Sequence, residues 1–194
     1  MLTPSSADAF AQASDLLARF REEPANFTKI DDAARRVADA FAQGHKLLAC
    51  GNGGSACEAM HLCEELTGRF RTNRPALPAI ACIDPGHLTC AANDFGYDHV
   101  FSRWVEALGQ PGDILVLFST SGNSPNILQA LAAARQRNLT TLALLGGTGG
   151  ALAGHCTLEW IVPASRSDRV QEIHQIIMHA LIEAIERAVF PDLA

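Results

Sequence analysis

A histidine and a glutamate four residues apart are the first pair in this chain that could do chemistry. His61 and Glu65 lie on one predicted helix, where residues spaced by four share a face. An imidazole and a carboxylate in that arrangement can bind one divalent metal ion. The spacing is not an H-E-x-x-H motif, because no second histidine follows on that helix. Taken alone, the pair is better interpreted as a surface histidine beside a glutamate.

A long C-terminal helix, predicted over 168–190, carries two further histidines. Its apolar stripe includes Ile173, and at about 100° per residue Gln171 and His179 fall together on the opposite side. His174 lies between the two sides. A histidine on a half-covered helix is more often a core residue than a ligand, and helix geometry does not choose between the two histidines.

Residues 50–55 have the sequence C-G-N-G-G-S, directly after a predicted buried strand and before a helix. The glycines allow a ligand to approach the backbone closely, and the helix start offers free N–H groups. The spacing matches neither a dinucleotide-binding fingerprint nor a P-loop. A tight strand-to-helix turn explains the segment equally well.

Residues 119–125 have the sequence S-T-S-G-N-S-P and follow another predicted strand. Ser124 suits a helix N-cap and Pro125 suits the first helical position. Four hydroxyl groups therefore gather at the positive end of a helix dipole, with no Lys or Arg in the loop. A phosphate held by neutral donors is favoured over a simple capping turn.

Short apolar segments alternate with amphipathic ones along the chain, which is typical of a doubly wound α/β fold. The loops that follow the strands are then the expected ligand site. The predicted strands are 46–50, 78–84, 113–118, 140–145 and 158–162; the predicted helices are 6–22, 27–43, 55–71, 87–108 in pieces, 124–137 and 168–190.

Length and composition indicate one globular domain over 1–194, with N-terminal helices in 1–43 and an α/β core in 44–194. The net charge is −6 and no basic cluster is present, so we expect no nucleic-acid binding. No apolar run approaches 18 residues, so we expect no membrane span. Six cysteines without C-x-x-C spacing indicate reduced thiols and a cytoplasmic protein.

Four long motifs together resemble a known family. They are CGNGGSACEAMHLCEELTGRFRTNRPALPAIA, NDFGYDHVFSR, STSGNSPN and DRVQEIHQIIMH, within about residues 29–190. Their sequences resemble the bacterial phosphoheptose isomerases of the sugar isomerase (SIS) domain superfamily.

The resemblance implies a three-layer α-β-α sandwich around a five-stranded parallel sheet, assembled as a homotetramer with active sites at subunit contacts. It implies a sugar-phosphate aldose–ketose isomerase that converts D-sedoheptulose 7-phosphate to D-glycero-D-manno-heptose 7-phosphate through an enediol. This is the first step towards the ADP-heptoses of the lipopolysaccharide core. One Zn²⁺ ion per subunit is also implied.

The resemblance also assigns roles to individual residues. Glu65 and His179 would be catalytic, and His174 would be a packing residue. The implied zinc ligands are His61, Glu65, Gln171 and His179. The implied substrate-binding residues are Asn52, Gly53, Gly54, Ser55, Glu65, Asn93, Asp94, Ser119, Thr120, Ser121, Ser124 and Gln171.

One alternative from another functional class shares several of these motifs. Some SIS proteins of this size are non-catalytic tetramers that bind the replication initiator protein. They have a similar glycine loop and Q-E-x-H helix, but lack the acidic residue that corresponds to Glu65. The presence of Glu65 and His179 here favours the enzyme.

Overall fold

The computed structural model describes residues 5–193, so residues 1–4 and 194 of the predicted domain lie outside the described part. Its centre is a parallel five-stranded sheet. The strands are β1 (Leu47–Gly51), β2 (Ala79–Ala81), β3 (Ile114–Ser119), β4 (Thr140–Gly146) and β5 (Leu158–Val162). They pair in the order β2-β1-β3-β4-β5, one of the two common doubly wound orders. The predicted three-layer α/β fold is confirmed.

Helices cover both faces of this sheet. They are α1 (Ser6–Arg21), α2 (Ala25–Ala42), α3 (Gly54–Thr67), α4 (Pro85–Phe95), α5 (Val100–Leu108), α6 (Pro125–Gln136) and α7 (Ser167–Val189). Helices α1, α2, α3 and α7 share one apolar core with the sheet, and α4, α5 and α6 share the other. The N-terminal helices thus cover a face of the sheet by packing on α7.

The strand sequences explain why the sheet is buried on both faces. In β1 every residue is buried; Leu47 and Ala49 point into one core, while Leu48 and Cys50 point into the other. A strand covered on both sides needs a continuous apolar run rather than an alternating one. The uninterrupted hydrophobic segments of the sequence supply that run.

Several predicted boundaries were wrong. Helix α3 ends at Thr67 instead of 71, because the backbone leaves the helical conformation at Gly68, with ψ of −115°. The Arg74 guanidinium donates to the backbone carbonyls of Glu65, Leu66 and Gly68 at this end. Strand β2 is also shorter than predicted, spanning Ala79–Ala81 at the sheet edge. By contrast, the predicted division of the 87–108 region into helical pieces, interrupted near 93–96, is confirmed: the break falls at Gly96, whose φ of 85° does not continue a helix.

None of the helices within residues 5–193 combines the length and hydropathy that a membrane crossing needs.

Candidate active site

Two loops meet where the strand order reverses, at the carboxyl ends of β1 and β3. This switch point is the usual ligand crevice of an open parallel sheet. Asn52 and Asn126 join the loops through reciprocal amide hydrogen bonds of 2.9 and 2.8 Å. The Tyr97 hydroxyl donates to Asn52 Oδ1 at 3.0 Å. The predicted glycine loop and serine loop are therefore fixed to each other.

The glycine loop turns sharply into α3. Gly53 precedes the helix with a φ of 57°, a conformation that costs glycine little. Gly54 lies against the amide of Gln171, since a Cβ on Gly54 would sit 2.5 Å from Gln171 Nε2. Ser55 is buried below the loop. Gln171 thus borders the glycine loop.

The serine loop keeps much of its hydrogen-bonding capacity. Ser119 Oγ accepts from the Gly122 N–H at 3.0 Å, and Ser121 Oγ accepts from a backbone N–H at 3.1 Å. Thr120 Oγ1 lies 3.2 Å from Ser167 Oγ, which ties the loop to the start of α7. Ser124 is the N-cap of α6 as predicted, yet its side chain makes no capping bond. Its hydroxyl can therefore point to a ligand.

Asn93 and Asp94 lie in the last turn of α4 and are exposed. Asn93 Nδ2 donates to Asp94 Oδ1 at 2.7 Å. Tyr97, which binds Asn52, follows them by one turn. This connection brings the segment to the border of the glycine loop, and its contact with a substrate stays a prediction.

A second group of predicted residues lies further along α3 and α7. His61, Glu65 and His179 place one ligand atom each within 4.8 Å of one another. His61 Nε2 is 3.3 Å from Glu65 Oε1, so the spacing of four on α3 does bring these groups together. The rings of His61 and His179 pack edge to face at 5.0 Å. Among the described residues, we find one such His/Cys/Asp/Glu cluster of three or more.

The surroundings of His179 favour its neutral form. Burial lowers the pKa of His179 below its ordinary value, and the nearby His61 and Arg71 act in the same direction while Glu65 opposes them. Its ring also stacks on Phe70 at 5.7 Å. A neutral imidazole can bind a metal ion or accept a proton.

The fold also answers which histidine of α7 faces the cluster. His174 is fully buried, and its Nε2 lies 3.1 Å from the Leu145 carbonyl oxygen. Its Nδ1 faces Glu58 at 3.4 Å. His174 is therefore a core residue, and His179 is the histidine beside His61.

Within a single chain, the predicted site residues on α3 and α7 form two separate groups. Gln171 contacts Gly54, whereas His179 lies eight residues later, about 12 Å along the helix axis. On α3, Glu65 lies eleven residues beyond Gly54, about 16 Å along its axis. Gln171 therefore belongs with the loops, and its role as a fourth metal ligand stays a prediction.

Sequence reasoning gave no role to several residues that shape the site. Asn126 and Tyr97 fix the glycine loop, and Gln175 contacts His61. Asn126 and Tyr97 lie within the quoted motifs STSGNSPN and NDFGYDHVFSR, so their closeness in sequence to the predicted site residues could have identified them. Gln175 lies one turn before His179 on α7, and this helical spacing could likewise have placed it beside the cluster.

Comparison with known proteins matches this sequence and fold to one family. The SIS domain family model matches residues 9–146. Phosphoheptose isomerase of Fusobacterium nucleatum is 51% identical over 178 residues, covering 92% of each chain. That of Vibrio cholerae is 52% identical over 177 residues, covering 91% of this chain and 93% of its own.

Solved structures give the same result. A phosphoheptose isomerase from Neisseria gonorrhoeae has a TM-score of 0.84 and 38% identity, covering 93% of this chain and 96% of its own. One from Francisella tularensis has a TM-score of 0.87 and 33% identity, covering 95% and 100%.

The chain therefore belongs to the SIS domain family of α/β proteins. Its place within that family follows from relatives that match nearly its whole length. Among SIS proteins it is a member of the phosphoheptose isomerases, as its motifs predicted. These relatives give no support to the alternative of a replication-initiator-binding tetramer.

Proposed function

We propose that this protein converts D-sedoheptulose 7-phosphate to D-glycero-D-manno-heptose 7-phosphate, in the cytoplasm, as the first step towards ADP-heptose and the lipopolysaccharide core. One observation carries the proposal. The His61, Glu65 and His179 cluster occurs in a chain 51% identical to a named phosphoheptose isomerase over 92% of its length.

The reaction moves one hydrogen between neighbouring carbons. A base removes a proton from C1 of the ketose while an acid protonates the C2 carbonyl oxygen, which gives an enediol. A proton then returns to C2, and the C1 hydroxyl loses its proton to form the aldehyde. Glu65 and His179 are the two proton carriers, because a carboxylate and a neutral imidazole lie together in the cluster. With a metal ion bound, each would carry the proton on the carboxylate oxygen or ring nitrogen that the ion leaves free, since a metal-bound atom cannot be protonated.

The donor set of the cluster fits zinc. Two imidazoles and one carboxylate are the nitrogen and oxygen ligands that Zn²⁺ accepts, and three protein ligands leave a position open for substrate. His61, Glu65 and His179 of one copy would hold the ion. The fourth position would be open to substrate or to the predicted ligand Gln171, which lies beside the glycine loop of its own chain and would therefore have to come from another copy. When bound, a zinc ion supplies Lewis acidity that polarises the carbonyl.

The substrate phosphate would bind at the serine loop. Hydroxyl groups of Thr120 and Ser124 and the N–H groups at the start of α6 offer neutral donors there. The positive end of the helix dipole adds attraction for an anion. The sugar chain would then extend past Asn52 and Gly53.

Distances along the helices support a site shared between two copies of the chain. Ser167, which contacts the serine loop, precedes His179 by twelve residues, about 18 Å along α7. In the substrate, seven single bonds of ~1.5 Å separate C2 of the sugar from the phosphorus. Fully extended, this chain spans about 9 Å, which is about half the distance between the two groups on α7. We therefore propose that loops of one copy meet the helix cluster of another within a homotetramer.

Turnover of sedoheptulose 7-phosphate tests the reaction. The purified protein should form the aldose, lose activity after chelation and regain it with zinc. Glu65→Gln and His179→Gln should each abolish turnover, while Glu22→Gln and His155→Gln, at exposed positions, should not. A folded wild type that binds the sugar phosphate without converting it would overturn the proposal.

Mixing two inactive variants tests the shared site. Ser124→Asp keeps a good N-cap but repels phosphate, and Glu65→Gln removes a proton carrier. Co-refolded at equal amounts, they should recover up to about one quarter of wild-type activity, because a quarter of the shared sites receive both intact halves. No recovery would place the whole site in one chain.

A further inference from the structure

The Gln175 side chain is directed at the metal cluster. Its Oε1 lies 3.1 Å from Nδ1 of His61, across the contact between α7 and α3. Both side chains are half-buried, so the contact is partly shielded from water. Gln175 is not among the residues that the sequence motifs assigned to substrate or metal.

Both ring nitrogens of His61 thus face oxygen atoms. Nδ1 faces the Gln175 amide oxygen at 3.1 Å, and Nε2 faces Glu65 Oε1 at 3.3 Å. A neutral imidazole carries one N–H and one lone pair. If Nδ1–H donates to Gln175, the lone pair of Nε2 is free to bind a cation in the space between Glu65 and His179.

The position of Gln175 on α7 holds its backbone in place opposite His61. His179 lies one turn later on the same helix, so a single helix carries one cluster member and orients another. The preceding residue, His174, is fully buried and anchored to the Leu145 carbonyl. The Gln175 backbone therefore has little freedom to withdraw its side chain from His61.

We propose that Gln175 is a positioning residue that accepts the Nδ1–H of His61 and so holds Nε2 towards the metal ion. Metal-binding histidines usually donate their second N–H to an oxygen, and loss of that partner weakens metal binding about 10- to 100-fold. The inference rests on the proposed function, because it assumes that the cluster binds zinc.

Zinc affinity, measured by competition with a chromogenic chelator, tests the role of Gln175. Gln175→Met, similar in size but without an acceptor, should bind zinc about 10- to 100-fold more weakly. Gln175→Glu should stay close to wild type, because a carboxylate can accept the same proton but cannot donate one. Gln129→Met, at an exposed position of α6 in the opposite layer, should not change the affinity.

Thermal unfolding in excess chelator separates a metal effect from a folding defect. All variants should melt near the wild-type temperature there, and if Gln175→Met does not fold, Gln175→Ala gives the same comparison. Equal zinc affinity of Gln175→Met and wild type would overturn the inference. So would a Gln175→Glu variant as weak as Gln175→Met, since the glutamine would then be the donor.

The two proposals can fail separately. A wild type that binds zinc and responds to Gln175→Met, but does not isomerise the sugar, overturns the proposed function alone. A wild type that isomerises the sugar with zinc bound equally by Gln175→Met overturns the positioning role alone. A wild type that binds no zinc overturns the positioning role and the metal part of the function.

Discussion

Arg74 holds the C-terminal end of the helix that carries Glu65. Its Nε donates to Glu186 Oε1 at 2.7 Å, and its other nitrogens donate to the carbonyls of Glu65 and Leu66 at 2.7 and 2.8 Å and of Gly68 at 3.1 Å. The Arg74 side chain is 1% exposed and that of Glu186 is 14% exposed. We predict that this contact is a large contributor to stability.

Arg74→Met removes the charge and every one of these donors while keeping a long helix-compatible side chain. The largely buried Glu186 carboxylate then loses its partner, and breaking a fully buried pair in this way typically costs about 3–5 kcal/mol. For a chain of this size, the melting temperature should fall by about 6–20 °C, at about 2–4 °C for each kcal/mol. Arg74→Lys should also be destabilised, because a single ammonium group cannot reach the helix-end carbonyls and Glu186 together.

Thermal unfolding at one protein concentration measures the effect, because subunit association would otherwise shift the midpoint. Arg71→Met is the matched control. Arg71 is 63% exposed and pairs with Glu183 at 3.0 Å, so its loss should cost about 0–1 kcal/mol. If Arg74→Met lowers the melting temperature no more than Arg71→Met does, the structural reasoning is refuted.

Three further predictions concern buried positions. Within the described residues, both carboxylate oxygens of Glu58 and the Nδ1 of His174 lack a hydrogen-bond partner, although Nδ1 lies 3.4 Å from Glu58 Oε1; Glu58→Gln, which supplies an N–H, should therefore be tolerated. Glu58→Leu should lower the free energy of unfolding by about 1–3 kcal/mol, and equal losses in chemical denaturation would contradict this. Gly122→Ala should lower the free energy of unfolding by at least about 1–2 kcal/mol, since Gly122 has a φ of 63° and a Cβ would overlap the Gly149 carbonyl. It should also raise KM, because the change distorts the serine loop, and an unchanged KM would count against this prediction. Burial raises the pKa of the Cys63 thiol to about 12, so at pH 8 iodoacetamide should alkylate the exposed Cys57 before Cys63. Peptide mass spectrometry that shows equal alkylation rates for the two cysteines would rule this out.

Local patterns in the sequence were enough to predict the framework of the site. The continuous apolar runs predicted strands buried on both faces, and their alternation with helices predicted the parallel sheet. The loops after β1 and β3 were then expected at the carboxyl ends of the strands; that they lie side by side follows from the pairing of β1 with β3, which the sequence did not predict. The spacing of four between His61 and Glu65 likewise predicted their contact, because helix geometry is local.

Positions that depend on distant contacts could not be predicted in the same way. The carbonyls at the end of α3 are capped by Arg74, which lies beyond the helix and reaches back to them. The contact between Gln175 and His61 joins residues 114 positions apart, and neither residue type identifies its partner. Such pairs depend on how two helices pack, which no single segment encodes.

The sequence by itself determined the element order, the glycine and serine loops, the family and the residue types available for chemistry. Helix geometry left open whether His174 or His179 joins the cluster, and the family resemblance chose His179. The tertiary structure supplied the physical reason, because the packing of α7 directs His174 into the core against Leu145 and Glu58 and places His179 beside His61. It also placed Gln171 beside the glycine loop and away from the cluster. The physical reason is that helix periodicity fixes which residues share a face, whereas only the docking of α7 on α3 and the sheet fixes what each face meets.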